Sequence, residues 1–178
     1  MENFSELILR RESCRNYTGE PVDTELIMKC VNAARLSPSA CNSQPWKYYI
    51  VNDSENAQKV RDCIQHENMN KFADKCPAFA VVTEQPAALK PHIAARFDSQ
   101  KWSQIDIGLT VAHYCLQAAD LGLGTCIIGW MDEDKLHATL GIDSNIKIRL
   151  VIATGYSADE APRKKVRKNI EDMSEIIK

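Results

Sequence analysis

The sequence predicts a mixed fold of helices and strands, either α+β or α/β with a small sheet. Apolar residues at helical spacing alternate along the chain with short apolar runs of the kind that form strands. These patterns give about four strands and five or six helices, without an internal repeat. A chain of 178 residues is long enough for a sizeable core, so a single domain over 1–178 is expected.

The first half of the chain carries three predicted helices and two predicted strands. Residues 47–51 indicate a strand, and the nearly unbroken apolar run 77–83 predicts a strand buried on both faces. Apolar spacing marks a short helix from Phe4, a second helix that Asp23 or Thr24 can cap and that stops at Ser37-Pro38, and a third around residues 57–64.

Residues 84–100, which we call the covering segment, carry two prolines and little periodicity. A loop or loosely helical excursion of this kind is the best candidate to cover a substrate. Beyond it the patterns predict a strand over 126–130, a short helix that Asp132 caps and that runs through Leu140, and a final helix over 170–177. A strand is also predicted over 146–156, with Ile146, Ile148, Leu150 and Ile152 on one face.

A long helix is predicted over 105–119 and is apolar on much of its circumference, so it belongs in the core or at a subunit interface. Val111 and Ala118 lie off its main stripe. Asp106 is either an exposed first-turn charge or a buried partner for an arginine. The main stripe comprises Ile105, Gly108, Leu109, Ala112, Cys115, Leu116 and Ala119.

The composition argues against several classes of function. A net charge of −2 gives no reason to expect nucleic acid or an anionic membrane as a partner, and no stretch approaches the ~20 apolar residues of a membrane span. The seven cysteines and four histidines lack the spacing of a disulfide framework or a metal site, which favours a reducing cytoplasm. The acidic, then amphipathic N-terminus is not a secretory signal.

Residues 37–46, which we call the carboxamide loop, separate the second helix from the first strand. Pro38 and Pro45 forbid a regular helix, and two carboxamides, Asn42 and Gln44, lie between them. A carboxamide offers a donor and an acceptor side by side, which suits the polar edge of a planar heterocycle. The alternative is an ordinary turn anchored by a buried Trp46.

Cationic side chains are concentrated near both ends of the chain. Arg11, Ser13 and Arg15 alternate, so an extended backbone would point them one way as a phosphate clamp; otherwise they form a solvated basic patch. Residues 163–168 hold five cations in six positions, which form either a solvated face or the rest of the same anion site. The glycines of 121–129 suit close approach of the backbone to a flat ligand. An anionic end and a flat, polar-edged end describe flavin mononucleotide (FMN).

In this combination the sequence closely resembles the FMN-dependent nitroreductase family over nearly its whole length. The strongest match is the run Ser37-Pro-Ser-x-x-Asn-x-Gln-Pro-Trp46. Further matches are residues 11–17 to the N-terminal phosphate and ribityl motif, 106–108 and 121–125 to the central helix and following strand, Lys165-Val-Arg167 to the C-terminal phosphate pair, and, more weakly, Asn68-x-x-Lys71 to a flavin-contacting element.

The resemblance implies an α+β sandwich with a small, mostly antiparallel sheet flanked by helices. It further implies an intertwined homodimer that holds FMN at its interface, with the tail 157–178 completing the phosphate site and the dimer. The implied FMN contacts are Arg11, Ser13, Lys165 and Arg167 on the phosphate with Glu12 beside them; Arg15, Asn68 and Lys71 on the ribityl chain and pyrimidine edge; Pro38, Ser39, Asn42 and Gln44 from the partner chain; and Ile128 and Gly129 beside flavin N5.

The resemblance also implies the reaction. NADH or NADPH would deliver hydride to flavin N5 and be replaced in the same pocket by a nitroaromatic, quinone or similar acceptor, a ping-pong cycle without a catalytic side chain. Positive charge from Arg15 and Lys71 would stabilise the reduced flavin. The alternative is a non-catalytic FMN-binding protein for storage or sensing. Glu12 stands where many family members carry a basic residue, and Ile128 where oxygen-insensitive members carry an acidic one.

Overall fold

A computed structural model describes residues 3–178, apart from the side chain of Ser99. The chain folds as α+β, which confirms the predicted fold class. Its elements follow in the order α1 (Phe4–Arg10), α2 (Thr24–Arg35), β1 (Trp46–Val51), α3 (Ser54–Ile64), β2 (Ala78–Glu84), α4 (Pro91–Ala94), α5 (Ser103–Asp120), β3 (Gly124–Ile128), α6 (Glu133–Leu140) and β4 (Ile148–Gly155), with short 3₁₀ turns between several of them.

The four strands form one antiparallel sheet in the order β1-β2-β4-β3. The first six residues of β2 are buried, which confirms the strand predicted to be covered on both faces. One face of the sheet packs with α3 and α6, and the other packs with α2 and α5, each around its own apolar cluster. The result is three layers, with the predicted site residues on the segments that connect them.

Helix starts follow their predicted caps. Asp23 caps α2 by accepting a hydrogen bond from the N–H of Glu25 at 2.8 Å, which decides between the two candidates for that cap. Asp132 caps α6 by accepting from the N–H of Lys135 at 3.0 Å. Each cap satisfies an N–H group that has no partner within its own helix.

The strand β4 carries a bulge that the alternation of its apolar residues did not reveal. Val82 of β2 pairs with Leu150, but Thr83 pairs with Ile148, so Arg149 is left as an extra residue. Ile148 therefore packs with the α3–α6 cluster, whereas Leu150 and Ile152 belong to the α2–α5 cluster. The prediction that Ile146, Ile148, Leu150 and Ile152 share one face is wrong for this reason.

The long helix α5 buries a different face from the predicted one. Ile107, Val111, Tyr114 and Ala118 pack on the sheet and α2. The predicted stripe lies mainly on the outer face, where Ile105 is 56% exposed and Leu109 is 40% exposed. The helix has two apolar faces, and only one of them is covered within a single chain.

The tail beyond β4 is extended rather than helical. A single 3₁₀ turn, Ile170–Asp172, stands where the final helix was predicted, and Ile170, Met173 and Ile176 are exposed. An amphipathic segment gains most of its helical stability from packing its apolar face, and nothing in one chain covers these side chains. Within the described residues, no helix is long and apolar enough to cross a membrane.

Candidate functional site

Residues from the two ends of the chain line one cavity of about 310 Å³. Arg11, Glu12, Ser13 and Arg15 come from the segment after α1, and residues 163–167 come from the tail. An isolated parallel β-bridge between Ser13 and Thr125 fixes the first segment beside β3. The structure therefore brings together the two cationic clusters, as expected if they form one anion site rather than two separate solvated faces.

Hydrogen bonds to residues 11–13 hold the tail in place. Arg163 donates through Nε to Glu12 Oε2 at 3.0 Å and through Nη2 to the carbonyl oxygen of Ser13 at 2.5 Å. Lys165 donates through Nζ to the carbonyl oxygen of Arg11 at 2.6 Å. Glu12 thus lies in the cavity wall as a partner of Arg163. This carboxylate docks the tail that supplies the other cations.

The cavity has the electrostatics of an anion site. Partial burial and the positive charge of Arg11 lower the pKa of Lys165; Glu12 acts in the opposite direction, and Arg167 and Arg163 lower the pKa further. An anion between these groups would favour the protonated lysine and relieve the crowding of like charges.

Side-chain contacts lead from this cavity, through residues 70–72, to Trp130 just after β3. The guanidinium of Arg15 lies over the ring of Phe72, 5.9 Å from its centre. Two residues earlier, Asn70 donates to the carbonyl oxygens of Ile64 at 2.8 Å and Trp130 at 3.1 Å. Asn68 and Lys71, predicted to reach the flavin, are exposed on the same turns. Sequence reasoning missed Asn70 and Phe72, whose only signal was their place beside the Asn-x-x-Lys element.

The glycines around β3 have two different roles. A Cβ at Gly129 would meet nothing within 4 Å, so the backbone is open there. A Cβ at Gly124 would lie 2.8 Å from the Cβ of Cys14, so the close approach at Gly124 is to the chain's own segment rather than to a ligand. Ile128 is 3% exposed and packs in the core, so it offers no exposed side chain to a ligand.

The carboxamide loop is a strained turn held by a buried carboxylate. Cys41, Asn42 and Gln44 have φ of 53°, 53° and 47°, in the left-handed region that non-glycine residues rarely adopt. Asp106 on α5 is 4% exposed and accepts a hydrogen bond from the N–H of Ala40 at 3.1 Å. Asp106 is therefore buried, and its partner is a backbone amide of this loop rather than an arginine.

The side chains predicted to meet the cofactor from this loop face outward. Pro38, Asn42 and Gln44 are exposed, and Ser39 uses its hydroxyl to accept from the N–H of Gln44 at 3.0 Å. None of these four residues lines the cationic cavity. Trp46 is only half-buried, so it is not the fully buried anchor of the ordinary-turn alternative.

A comparison with protein families matches residues 8–90 and 64–156 to the Nitroreductase family. The chain belongs to this family. An Archaeoglobus fulgidus protein provisionally named NADH dehydrogenase/NAD(P)H nitroreductase is 32% identical over 164 residues, which covers 90% of this chain and 88% of that protein. Iodotyrosine deiodinase 1 of Rattus norvegicus is 35% identical over 179 residues, covering 87% of this nitroreductase-family chain and 62% of the rat protein.

Solved structures show the same fold. A provisionally assigned nitroreductase from Exiguobacterium sibiricum, determined in complex with FMN, superposes with a TM-score of 0.86 at 21% identity, covering 99% of this chain and 98% of the other. A nitroreductase-family protein from Streptococcus pneumoniae gives a TM-score of 0.82 at 23% identity, covering 98% and 100%. The nitroreductase fold accordingly spans the whole chain, including the tail.

Proposed function

We propose that this chain is an FMN-dependent oxidoreductase that takes hydride from NADH or NADPH and passes it to a small-molecule acceptor in a ping-pong cycle. The observation that carries the proposal is the cationic cavity built from both ends of the chain, from which Arg15 reaches over the ring of Phe72. The family match and the NAD(P)H-related names of its relatives support the same reaction class.

The residues present fit FMN. Arg11, Ser13, Lys165 and Arg167 would hold the phosphate, since guanidinium, ammonium and hydroxyl groups converge on one cavity there. Arg15, held over Phe72, and the exposed Asn68 and Lys71 would receive the ribityl chain and the pyrimidine edge. Bound FMN would supply a two-electron centre that accepts and donates hydride.

The chain's own groups would position the flavin and polarise its pyrimidine edge. Arg15 and Lys71 would place positive charge where the pyrimidine edge gains electrons, which stabilises the reduced state electrostatically. The open backbone at Gly129 would leave room for a planar ring against the end of β3.

A second copy of the chain would complete the site. The outer face of α5 exposes Ile105 and Leu109, α1 exposes Phe4 and Leu9, and the tail exposes Ile176. Exposed apolar side chains one helical turn apart, such as Ile105 and Leu109, are typical of an interface. We infer a homodimer in which the carboxamide loop of each copy contacts the FMN held by the other.

Paired variants test whether the site is shared between copies. One protomer carries Lys165→Ala with Arg167→Ala, and the other carries Asn42→Ala. Each homodimer should bind FMN weakly, but a heterodimer isolated through two different tags should bind about one FMN per dimer with the affinity of the unsubstituted protein, because one of its two sites has no substitution. If each site lay within one chain, both sites of the heterodimer would be defective.

The reaction class is tested with the purified protein. It should be yellow, and its flavin absorbance should bleach under NADH or NADPH without air. Protein that is colourless and cannot be reconstituted with FMN would refute the proposal, and bound FMN that neither nicotinamide bleaches would identify the storage or sensing alternative. Acceptors to compare are a nitroaromatic, a quinone and, because of the rat relative, iodotyrosine.

A further inference from the structure

The covering segment leaves and re-enters the domain at one point. Glu84, its first residue, accepts a hydrogen bond from the side-chain amide of Gln100, its last residue. The side-chain oxygen of Gln100 in turn accepts from the N–H of Ala87 at 2.9 Å. The two ends of the covering segment are therefore joined to each other, as in a compact surface loop. We call this junction of Glu84, Ala87 and Gln100 the neck.

One carboxylate holds this neck together. Glu84 is 10% exposed, and its Oε1 also accepts from the hydroxyl of Ser103, the first residue of α5. Its Oε2 accepts from Nε of Arg149 at 2.5 Å and forms an ion pair with the same guanidinium. Arg149 is the extra residue of the β4 bulge, so the irregularity in the sheet provides the cation that fixes Glu84.

The neck is coupled to the carboxamide loop. The 3₁₀ turn Ser99–Trp102, at the end of the covering segment, packs against the turn Ala40–Asn42. One helical turn further on, Asp106 binds the N–H of Ala40. An opening of the neck would therefore displace the covering segment relative to the loop that carries Asn42.

We propose that Glu84 is a positioning residue that clamps the covering segment next to the carboxamide loop, so that the KM of the acceptor depends on it while FMN affinity does not. The proposal rests on the function proposed above. The lining of the cationic cavity does not include Glu84, and in this proposal Glu84 contacts neither substrate nor cofactor.

Glu84→Gln tests the clamp, with Glu133→Gln as the matched control. Glu133 likewise accepts from a cation, Lys147, and from a second group, the N–H of Ile148 at 2.9 Å, near the start of the same strand. Among the described residues, none of the hydrogen bonds and ion pairs of Glu133 reaches the covering segment. Each variant thus removes one paired carboxylate charge, but only Glu84→Gln weakens the hydrogen bonds that close the neck.

The first measurement is amide hydrogen exchange of the protein as purified. Glu84→Gln should speed exchange within residues 85–99 about tenfold, because the neck loses its charge-assisted hydrogen bonds, and Glu133→Gln should leave that segment unchanged. Ser103→Ala, which removes one donor and leaves no charge unpaired, should act in the same direction by less. Equal effects of both glutamate variants, or faster exchange spread over the whole chain, would overturn the proposal.

The second measurement separates acceptor binding from cofactor binding. In Glu84→Gln the acceptor KM should rise about fivefold or more, with FMN affinity within about twofold of the unsubstituted protein, because the cationic cavity is intact. An unchanged KM, or a loss of FMN equal to the loss of acceptor binding, would refute the positioning role. A protein that binds no FMN would refute the proposed function instead, and the exchange data would still decide whether Glu84 clamps the segment.

Discussion

Removing the carboxylate of Asp106 should loosen the carboxamide loop and weaken FMN binding without unfolding the protein. Asp106 is 4% exposed, and its hydrogen bond to the N–H of Ala40 holds the start of the turn Ala40–Asn42. In Asp106→Ala that N–H loses its acceptor, which costs about 1–3 kcal/mol. In Asp106→Asn a neutral oxygen can still accept, so the loss is the charge-assisted part of the bond, about 1 kcal/mol.

These energies are comparable with the strain that the loop carries. Left-handed conformations at non-glycine residues cost on the order of 1–3 kcal/mol each, and Cys41, Asn42 and Gln44 all adopt them. Losing the Asp106 bond therefore allows the turn to leave its present conformation. If the loop contacts FMN, dissociation constants should rise about fivefold for Asp106→Asn and tenfold or more for Asp106→Ala, since each 1.4 kcal/mol is a factor of ten.

Titration of FMN into the apoprotein, followed by quenching of flavin fluorescence, measures this effect. Asp120→Ala is the control, because Asp120 lies at the other end of α5 and is exposed. Among the described residues, its side chain hydrogen-bonds only to the side chain of Gln117. A folded Asp106→Ala protein with FMN affinity within twofold of the control would refute the reasoning. The bond would then be structural only, and the loop would not contact the cofactor.

Three further variants test the cavity and the neck. Lys165→Ala with Arg167→Ala should weaken FMN binding at least tenfold and flatten its salt dependence, whereas Lys168→Ala, outside the cavity lining, should not, as equilibrium dialysis at two salt concentrations would show. Glu12→Gln should weaken FMN binding, because Arg163 loses its docking partner; tighter binding would mean that Glu12 merely opposes the phosphate. Burial raises the pKa of Glu84, but hydrogen bonds from Ser103, Gln100 and Arg149 outweigh it, so the pKa is lowered. The stability that Glu84 adds over Glu84→Gln, measured by urea unfolding, should therefore be present above about pH 4.5 and disappear as the pH falls through the lowered value.

Local patterns predicted the elements, but pairing and packing decided details that no local pattern contains. The caps at Asp23 and Asp132 and the buried strand β2 follow from residue type and spacing alone. The bulge at Arg149 depends on the register against β2, which the sequence of β4 does not specify. In α5 both faces are apolar, so periodicity could not distinguish the face that packs on the sheet from the outer one.

In the candidate site, too, motifs predicted some residues, and only the fold reveals the others. Arg11, Ser13, Lys165 and Arg167 were predicted from charge and motif, and the structure places them on one cavity although about 150 residues separate the two pairs. Asp106 lies in a matched motif that does not reveal the partner of its carboxylate, and Glu84 lies in no motif. Each becomes meaningful only when the fold brings a distant backbone amide or side chain to its carboxylate.

The distribution of backbone strain gives an independent reason to place function on two turns. Among the described residues, the non-glycine residues with positive φ fall into two groups, one at 41–44 and the other at 67–70. Both groups lie in segments whose motifs predicted contact with the flavin, and dihedral angles took no part in that prediction. Strain of this kind persists only where surrounding contacts hold it, and each turn has such contacts: Asp106 on the first, and the bonds from Asn70 to Ile64 and Trp130 on the second. A fold that needed only to connect a helix to a strand could use relaxed turns at both places, so the strained conformations are best explained by the ligand that they would meet.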